Sequence, residues 1–199
     1  NDIYLFKIDG TITANGNVNY RDKINKIEIK TDKITYLQKI DKIFTEGETY
    51  AEIKSKYKFK SSDVLFLKRD MKLSSSKKTI IEDKKNSLYE LDSFNYDVES
   101  EFLKGKNVKI IENSKVPTEE TNTYFFESGF FDFKNKVFNT GETKISLKKN
   151  IFDRSDNDPR LYGISSNHRD GITTVKKASF SSCSKNNKCP PWHIEASEI

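Results

Sequence analysis

In GTITANGNVNY the residues Ile12, Ala14, Val18 and Tyr20 alternate with polar neighbours, and KIEIKTDKITY repeats this with Ile27, Ile29, Ile34 and Tyr36. A period of two sends alternate side chains to one face of an extended chain, so each stretch predicts a half-buried strand. KYKFKSSDVLFLKRD, DSFNYDVES, KNVKIIE, TYFFESGFFDF and ETKISLKK carry the same signature, separated by Asp-Gly, Asn-Gly, Lys-Asn and SSSKK turn signals. No stretch long enough for a stable helix keeps a 3.6-residue period, so helix is expected to be negligible.

Part of the pattern repeats. KIFTEGET at residues 42–49 matches KVFNTGET at 136–143, and weaker copies surround Gly16 and Gly105. Each copy reads as strand, turn, strand, with the glycine marking a bulge or tight bend. The glycines are unevenly spaced, which disfavours a regular solenoid and favours a meandering antiparallel sheet folded on itself as a jelly roll. That module is expected over residues 1–150. Residues 151–199 have fewer alternating apolar positions and several Asp, Asn and Pro residues, and predict a loop-rich closing segment with short strands near Ile164 and ITTV.

Composition narrows this further. The 199 residues suit one domain, and the hydrophobic fraction of 34% implies a thin core, while 12% aromatics supply bulk that disordered chains lack. The net charge of +5 arises from 35 basic and 30 acidic residues interleaved along the chain. No basic cluster of the kind a nucleic-acid binder carries is present. No apolar run is long enough to span a bilayer as a helix. The opening NDIYLFKIDG lacks a basic region followed by an apolar stretch, which implies either a cytosolic protein or a leader already removed.

Candidate chemistry is sparse. A zinc site would draw on Cys183, Cys189 and His193, with His168, but structural zinc sites use tighter cysteine pairs and a second pair. A thioredoxin-type redox site likewise needs a shorter spacing. A local disulfide between Cys183 and Cys189, free thiols, and pairing to a segment outside this chain stay open. No nucleophile elbow or Walker loop occurs, and neither enzymatic activity nor a cofactor is expected. What remains is a sheet whose apolar face either lines a groove for an apolar ligand or fills itself.

A resemblance bears on that choice. The residues KKASFSSCSKNNKCPPWHIEASEI, with Phe180, Cys183, Cys189, Pro190, Pro191, Trp192, Ile194 and Ala196 in order, resemble the stretch closing the N-terminal periplasmic domain of the LptD family of outer-membrane lipopolysaccharide assembly proteins. Ala14, Gly16, Val18, Asp32, Ile34, Tyr36 and Gly47 are similar to the OstA-type repeat of the same family. The resemblance implies an all-β, OstA-like jelly roll of antiparallel strands with an open apolar groove, and a periplasmic location at the Gram-negative outer membrane, through a barrel not in this chain. It also implies that the module receives lipopolysaccharide from an LptA-like bridge protein and passes it to that barrel, which an LptE-like lipoprotein would accompany.

With alternation as the guide, the expected lipid-facing residues are Ile12, Ala14, Val18, Ile27, Ile29, Ile34, Tyr36, Phe44, Phe59, Phe66, Tyr96 and Phe126. The N-terminal segment with Ile3, Leu5, Phe6 and Ile8 is the expected edge for partner strand addition. The alternatives are a structural or adhesin-like β-module with a filled core, and a periplasmic zinc hydrolase.

Overall fold

The computed structural model describes residues 2–6, 10–152, 157–184 and 192–199. The alternating stretches become strands β1 (Asp2–Phe6), β2 (Thr11–Asp22), β3 (Ile27–Leu37), β4 (Lys42–Ile53), β5 (Tyr57–Ser62) and β6 (Leu65–Leu67). They continue as β7 (Lys72–Ser75), β8 (Thr79–Asp83), β9 (Leu88–Leu91), β10 (Ser93–Asp97), β11 (Phe102–Ile111) and β12 (Thr123–Asp132). The last six are β13 (Val137–Thr140), β14 (Thr143–Ser146), β15 (Arg160–Gly163), β16 (Ser165–Arg169), β17 (Ile172–Ser181) and β18 (Ile194–Glu198). Among the described residues helix is confined to single 3-10 turns at Gln38–Ile40, Thr118–Glu120 and Lys149–Phe152. The chain is all-β, and its strands are antiparallel in a jelly-roll-like sheet.

Long strands are flanked by pairs of short ones. One half of β4 pairs with β6 and the other half with β5; β11 pairs likewise with β10 and β9, β12 with β13 and β14, and β17 with β16 and β15. The long strands therefore cross a crease, and the sheet folds along it into two facing walls. The first wall holds β6, β7, β10, β13 and β16, and the second holds β5, β8, β9, β14 and β15. Ring contacts confirm that the walls face each other: Phe59 of the second lies 5.4 Å from Phe94 and 5.2 Å from Tyr96 of the first.

Backbone chemistry sets the crease. Gly47, within β4, has φ +83, and no heavy atom lies within 4 Å of the place a Cβ would take, so conformation rather than space calls for glycine there. Its N–H donates to Asp63 Oδ1 at 3.1 Å, and Asp63 itself turns between β5 and β6 with φ 50. Gly16 and Asn17 make the equivalent bend in β2, where the register with β3 shifts between Asn15 and Val18. Gly105 differs: in β11 the bend falls at Asn107, with φ 48, and Gly105 is needed because a Cβ would sit 2.4 Å from Leu91 Cδ2.

Close to the crease the walls converge, and small hydroxyl side chains replace large apolar ones. Thr31, Thr45, Thr49, Ser61 and Thr79 are buried there, and Thr140, Thr143 and Ser166 take the same role further along. A buried hydroxyl without a partner is costly, and these supply each other: Thr49 donates to Thr45 at 2.7 Å, Ser61 and Thr79 lie 2.7 Å apart, and Thr140 and Ser166 2.6 Å apart.

Away from the crease the walls bury two apolar columns. Register aligns Ile12, Tyr36, Ile43, Phe66, Leu73, Tyr96, Leu103, Phe131, Phe138 and His168 on the first wall. Tyr20, Ile29, Ala51, Phe59, Ile81, Tyr89, Ile110, Tyr124, Ile145 and Leu161 align on the second. The middle of the interior is solid, with Ile29, Ile53, Phe66, Leu73, Ile81, Tyr96, Val98 and Leu103 all at 0% exposure. It loosens at both ends, where Ile12, Tyr20, Leu161 and His168 are half-buried.

Residues 157–184 carry more strand than their sequence suggests. Pairing passes without a break from β14 to β15 and from β13 to β16, and β17 is a ten-residue strand. The inward positions here include Ser166, His168, Thr173 and Ala178, so the burial pattern has few large apolar residues to reveal it.

Candidate functional site

Opposite the crease, the free margins of the two walls are made of turns, and among the described residues no strand pairing joins them. Between them, towards the C-terminal half, lies an open cavity of about 690 Å³. Tyr57, Tyr89, Ile110 and Tyr124 line it from the second wall, and Phe131, Phe133, Phe138 and His168 from the first. The alternation of β12 and β13 aims Phe131 and Phe138 inward, and Phe133 follows β12 with its N–H bonded to Glu101 O at 3.0 Å.

The lining rings form two clusters, one around Phe133 and one around Phe138. Phe133 is 4.9 Å from Tyr57 and 5.1 Å from Tyr89 between ring centroids, and Phe138 stacks on His168 at 5.0 Å with 13° between planes. Such pairs add about 0.5–1.5 kcal/mol beyond area burial. Burial pushes the phenols of Tyr57, Tyr89 and Tyr124 well above their ordinary range, reinforced by nearby carboxylates, so these groups stay neutral.

The rim is charged. Lys84 and Lys85 border the cavity from one margin and Lys134 and Lys136 from the other, and none of the four makes an ion pair with a described residue. The neighbouring carboxylates are engaged. Asp132 accepts from the Asn135 N–H at 2.9 Å, which holds its carboxyl below the usual range, and Asp83 accepts from the N–H groups of Lys85 and Ser87 at 2.8 and 2.9 Å. Glu112 accepts from Tyr124 at 2.8 Å and from Asn122 at 3.0 Å. The cavity thus presents an apolar floor under cations with free hydrogen-bonding capacity.

At its N-terminal side the cavity meets a clasp. Glu101, just before β11 on the first wall, receives Lys56 Nζ at 2.8 Å and Lys54 Nζ at 3.2 Å from the turn between β4 and β5 on the second, with Tyr57 OH at 3.4 Å. Glu101 is only 5% exposed. Burial alone would raise its pKa, but the hydrogen bonds from Lys56 and Lys54 outweigh it and hold the carboxyl below the usual range. Beyond the clasp lies a second open space of about 530 Å³, lined by Ile24, Lys26, Lys54, Lys56, Met71 and Val98 among others.

The residues expected to face a lipid divide into groups. Ile27, Ile29, Ile34, Phe59, Phe66, Tyr96 and Phe126 are buried in the packed core, and Ile12, Ala14, Val18 and Tyr36 are half-buried near the N-terminal end. None of them lines the aromatic cavity. Phe44 is a correction: it is 37% exposed, because Ile43 and Thr45 take the inward positions of β4 and a one-residue difference in phase reverses a side chain. Its counterpart in the repeat, Phe138, faces in. The inward threonines after it are Thr140 and Thr143, whereas β4 places them at Thr45 and Thr49 around the Gly47 bend, so similar octapeptides point their phenylalanines to opposite faces.

Ile3, Leu5 and Phe6 lie on β1, which pairs with β2 alone among the described strands, while Ile8 lies outside the described residues. Cys183 carries a free, half-buried thiol 3.7 Å from the Trp192 carbonyl oxygen, and Cys189 lies outside the described residues, as do Pro190 and Pro191. Trp192 packs 6.0 Å from Phe180, and its carbonyl accepts from Ser181 Oγ at 2.9 Å. His168 stacks inside the cavity, far in register from His193, which approaches Glu195 at 3.4 Å. Among the described residues no three His, Cys, Asp or Glu side chains converge as a metal-ligand set.

Alternation scored along single strands misses Tyr57, Tyr89, Tyr124, Phe131, Phe133, Phe138 and Glu101, because the cavity is assembled from both walls. The aromatic density of TYFFESGFFDF followed by KVF was the available signal. No known family model matches the sequence, and no curated protein matches it.

Proposed function

We propose that the chain is a lipid-carrying jelly-roll module that accepts lipopolysaccharide and passes it on without making or breaking a bond. The observation that carries this reading is the aromatic cavity open between two wall margins beneath four lysines without ion-pair partners among the described residues. An acyl chain entering it leaves water at about 0.8 kcal/mol per methylene. The phosphorylated sugar head stays solvated at the rim, where ammonium groups meet phosphate as point charges. The resemblance of the terminal Cys and Pro-Pro-Trp segment to the LptD family supplies the particular lipid. It also supplies the setting, namely the periplasmic face of the outer membrane, with an LptA-like bridge protein adding to the β1 edge and an LptE-like lipoprotein reached through a barrel.

A second reading has its own observation. The interior between β3 and β11 is solid, as a structural or adhesin-like β-module would have it. The two are separated by placing the photoreactive residue p-benzoylphenylalanine at Phe138 or at Phe66 and irradiating the protein with lipopolysaccharide. Lipid transport expects an adduct from position 138 and none from 66. No adduct from 138, or equal adducts from both, sinks it.

A further inference from the structure

We infer that the Glu101 clasp is the end-stop of the aromatic cavity and sets the longest apolar chain the site accepts; this rests on the lipid-binding reading above. At the clasp charged side chains cross from one margin to the other, beside the ring contacts that Phe133 makes with Tyr57 and Tyr89. Its lysines come from the β4–β5 turn, anchored by the Lys54 N–H on Lys26 O at 2.7 Å, and its carboxylate comes from a residue whose own carbonyl holds Phe133 N–H. Open space lies on both sides: Lys56 lines the cavity of about 690 Å³ and also the space of about 530 Å³.

A cavity of the first size holds one drug-sized molecule. A chain that fills it runs into Lys56 and Glu101, and going further requires parting a nearly buried carboxylate from two partly exposed ammonium groups. With the clasp released, the two spaces join into a single trough along the margin, whose further part adds Met71 and Ile24 as apolar lining. Glu101 is therefore a specificity-determining residue for chain length, through a contact that contributes nothing to head-group recognition.

The test titrates the purified protein by calorimetry with linear alkyl sulfates of increasing length, each below its micelle concentration. In the wild type, affinity rises by about fourfold per methylene and then stops rising at a definite length. Glu101→Ala moves that limit to longer chains, so long-chain affinity rises relative to short-chain affinity. Lys56→Ala, at a half-exposed position, moves it in the same direction and serves if Glu101→Ala does not fold. The ratio of long-chain to short-chain affinity is the readout, since general destabilisation lowers both together. Binding with an unchanged limit in both variants overturns the end-stop and leaves the lipid reading standing. Failure of every chain length to bind overturns both.

Discussion

The repeated octapeptides offer a sharp perturbation, because Phe44 and Phe138 hold the same place in the repeat and the structure turns them to opposite faces. Phe138 packs against Phe126 at 5.5 Å, Phe131 at 5.9 Å and His168 at 5.0 Å. Fully buried Phe→Ala changes cost about 3–5 kcal/mol. Phe138 is half-buried at the cavity wall, so Phe138→Ala is expected to cost about 2 kcal/mol. Phe44 is 37% exposed on the outer face and makes no ring contact among the described residues, so Phe44→Ala should stay below about 1 kcal/mol. Urea denaturation reads both as shifts in midpoint at constant slope. Alkyl sulfate binding gives the functional half: Phe138→Ala weakens it several-fold and Phe44→Ala leaves it unchanged. Equal destabilisation, or a binding loss on Phe44→Ala alone, would refute the assigned register.

Two further outcomes follow from buried polar groups. The Tyr96 hydroxyl is buried without a hydrogen-bond partner among the described residues, so Tyr96→Phe removes a desolvation cost of about 1–3 kcal/mol while keeping the ring packing; a raised denaturation midpoint is expected, and a loss above about 1 kcal/mol would show that the hydroxyl has a partner. The Glu101 carboxyl, held below its unfolded-state value, contributes stability above the ordinary glutamate range of about 4.3 and loses it as pH falls through the folded value. Wild type should therefore lose more stability than Glu101→Gln on acidification from neutral pH, and parallel pH curves for the two would contradict the clasp.

The strands were legible because period-two alternation is a local property: β2, β3 and β12 can be read from their own residues. The facing of Phe44 was not, since it depends on how β4 spends residues at the Gly47 bend. The crease was half legible. Gly16 and Gly47 mark it, but Gly105 is a packing glycine under Leu91, and the bend in β11 belongs to Asn107. Strands β15 to β17 were obscured because their inner positions include Ser166 at the crease and His168 and Thr173 on the cavity side, residues that hydropathy does not flag. The cavity was least legible: Tyr57, Tyr89 and Phe133 lie at or near three separate turns that meet only once the walls are folded together.

The antiparallel pairing has a kinetic corollary. Among the described residues no strand reaches further along the chain for its partner than from Phe102 to Asp132 or from Phe138 to His168. Most sheets of this extent bring together distant segments and must close large loops first, which slows them. Here each ladder can close on chain just made, with the growing edge serving as template for the next hairpin. Such a protein can assemble by zipping from its N-terminal end, and an interruption leaves a shorter, still paired sheet in place of an open chain.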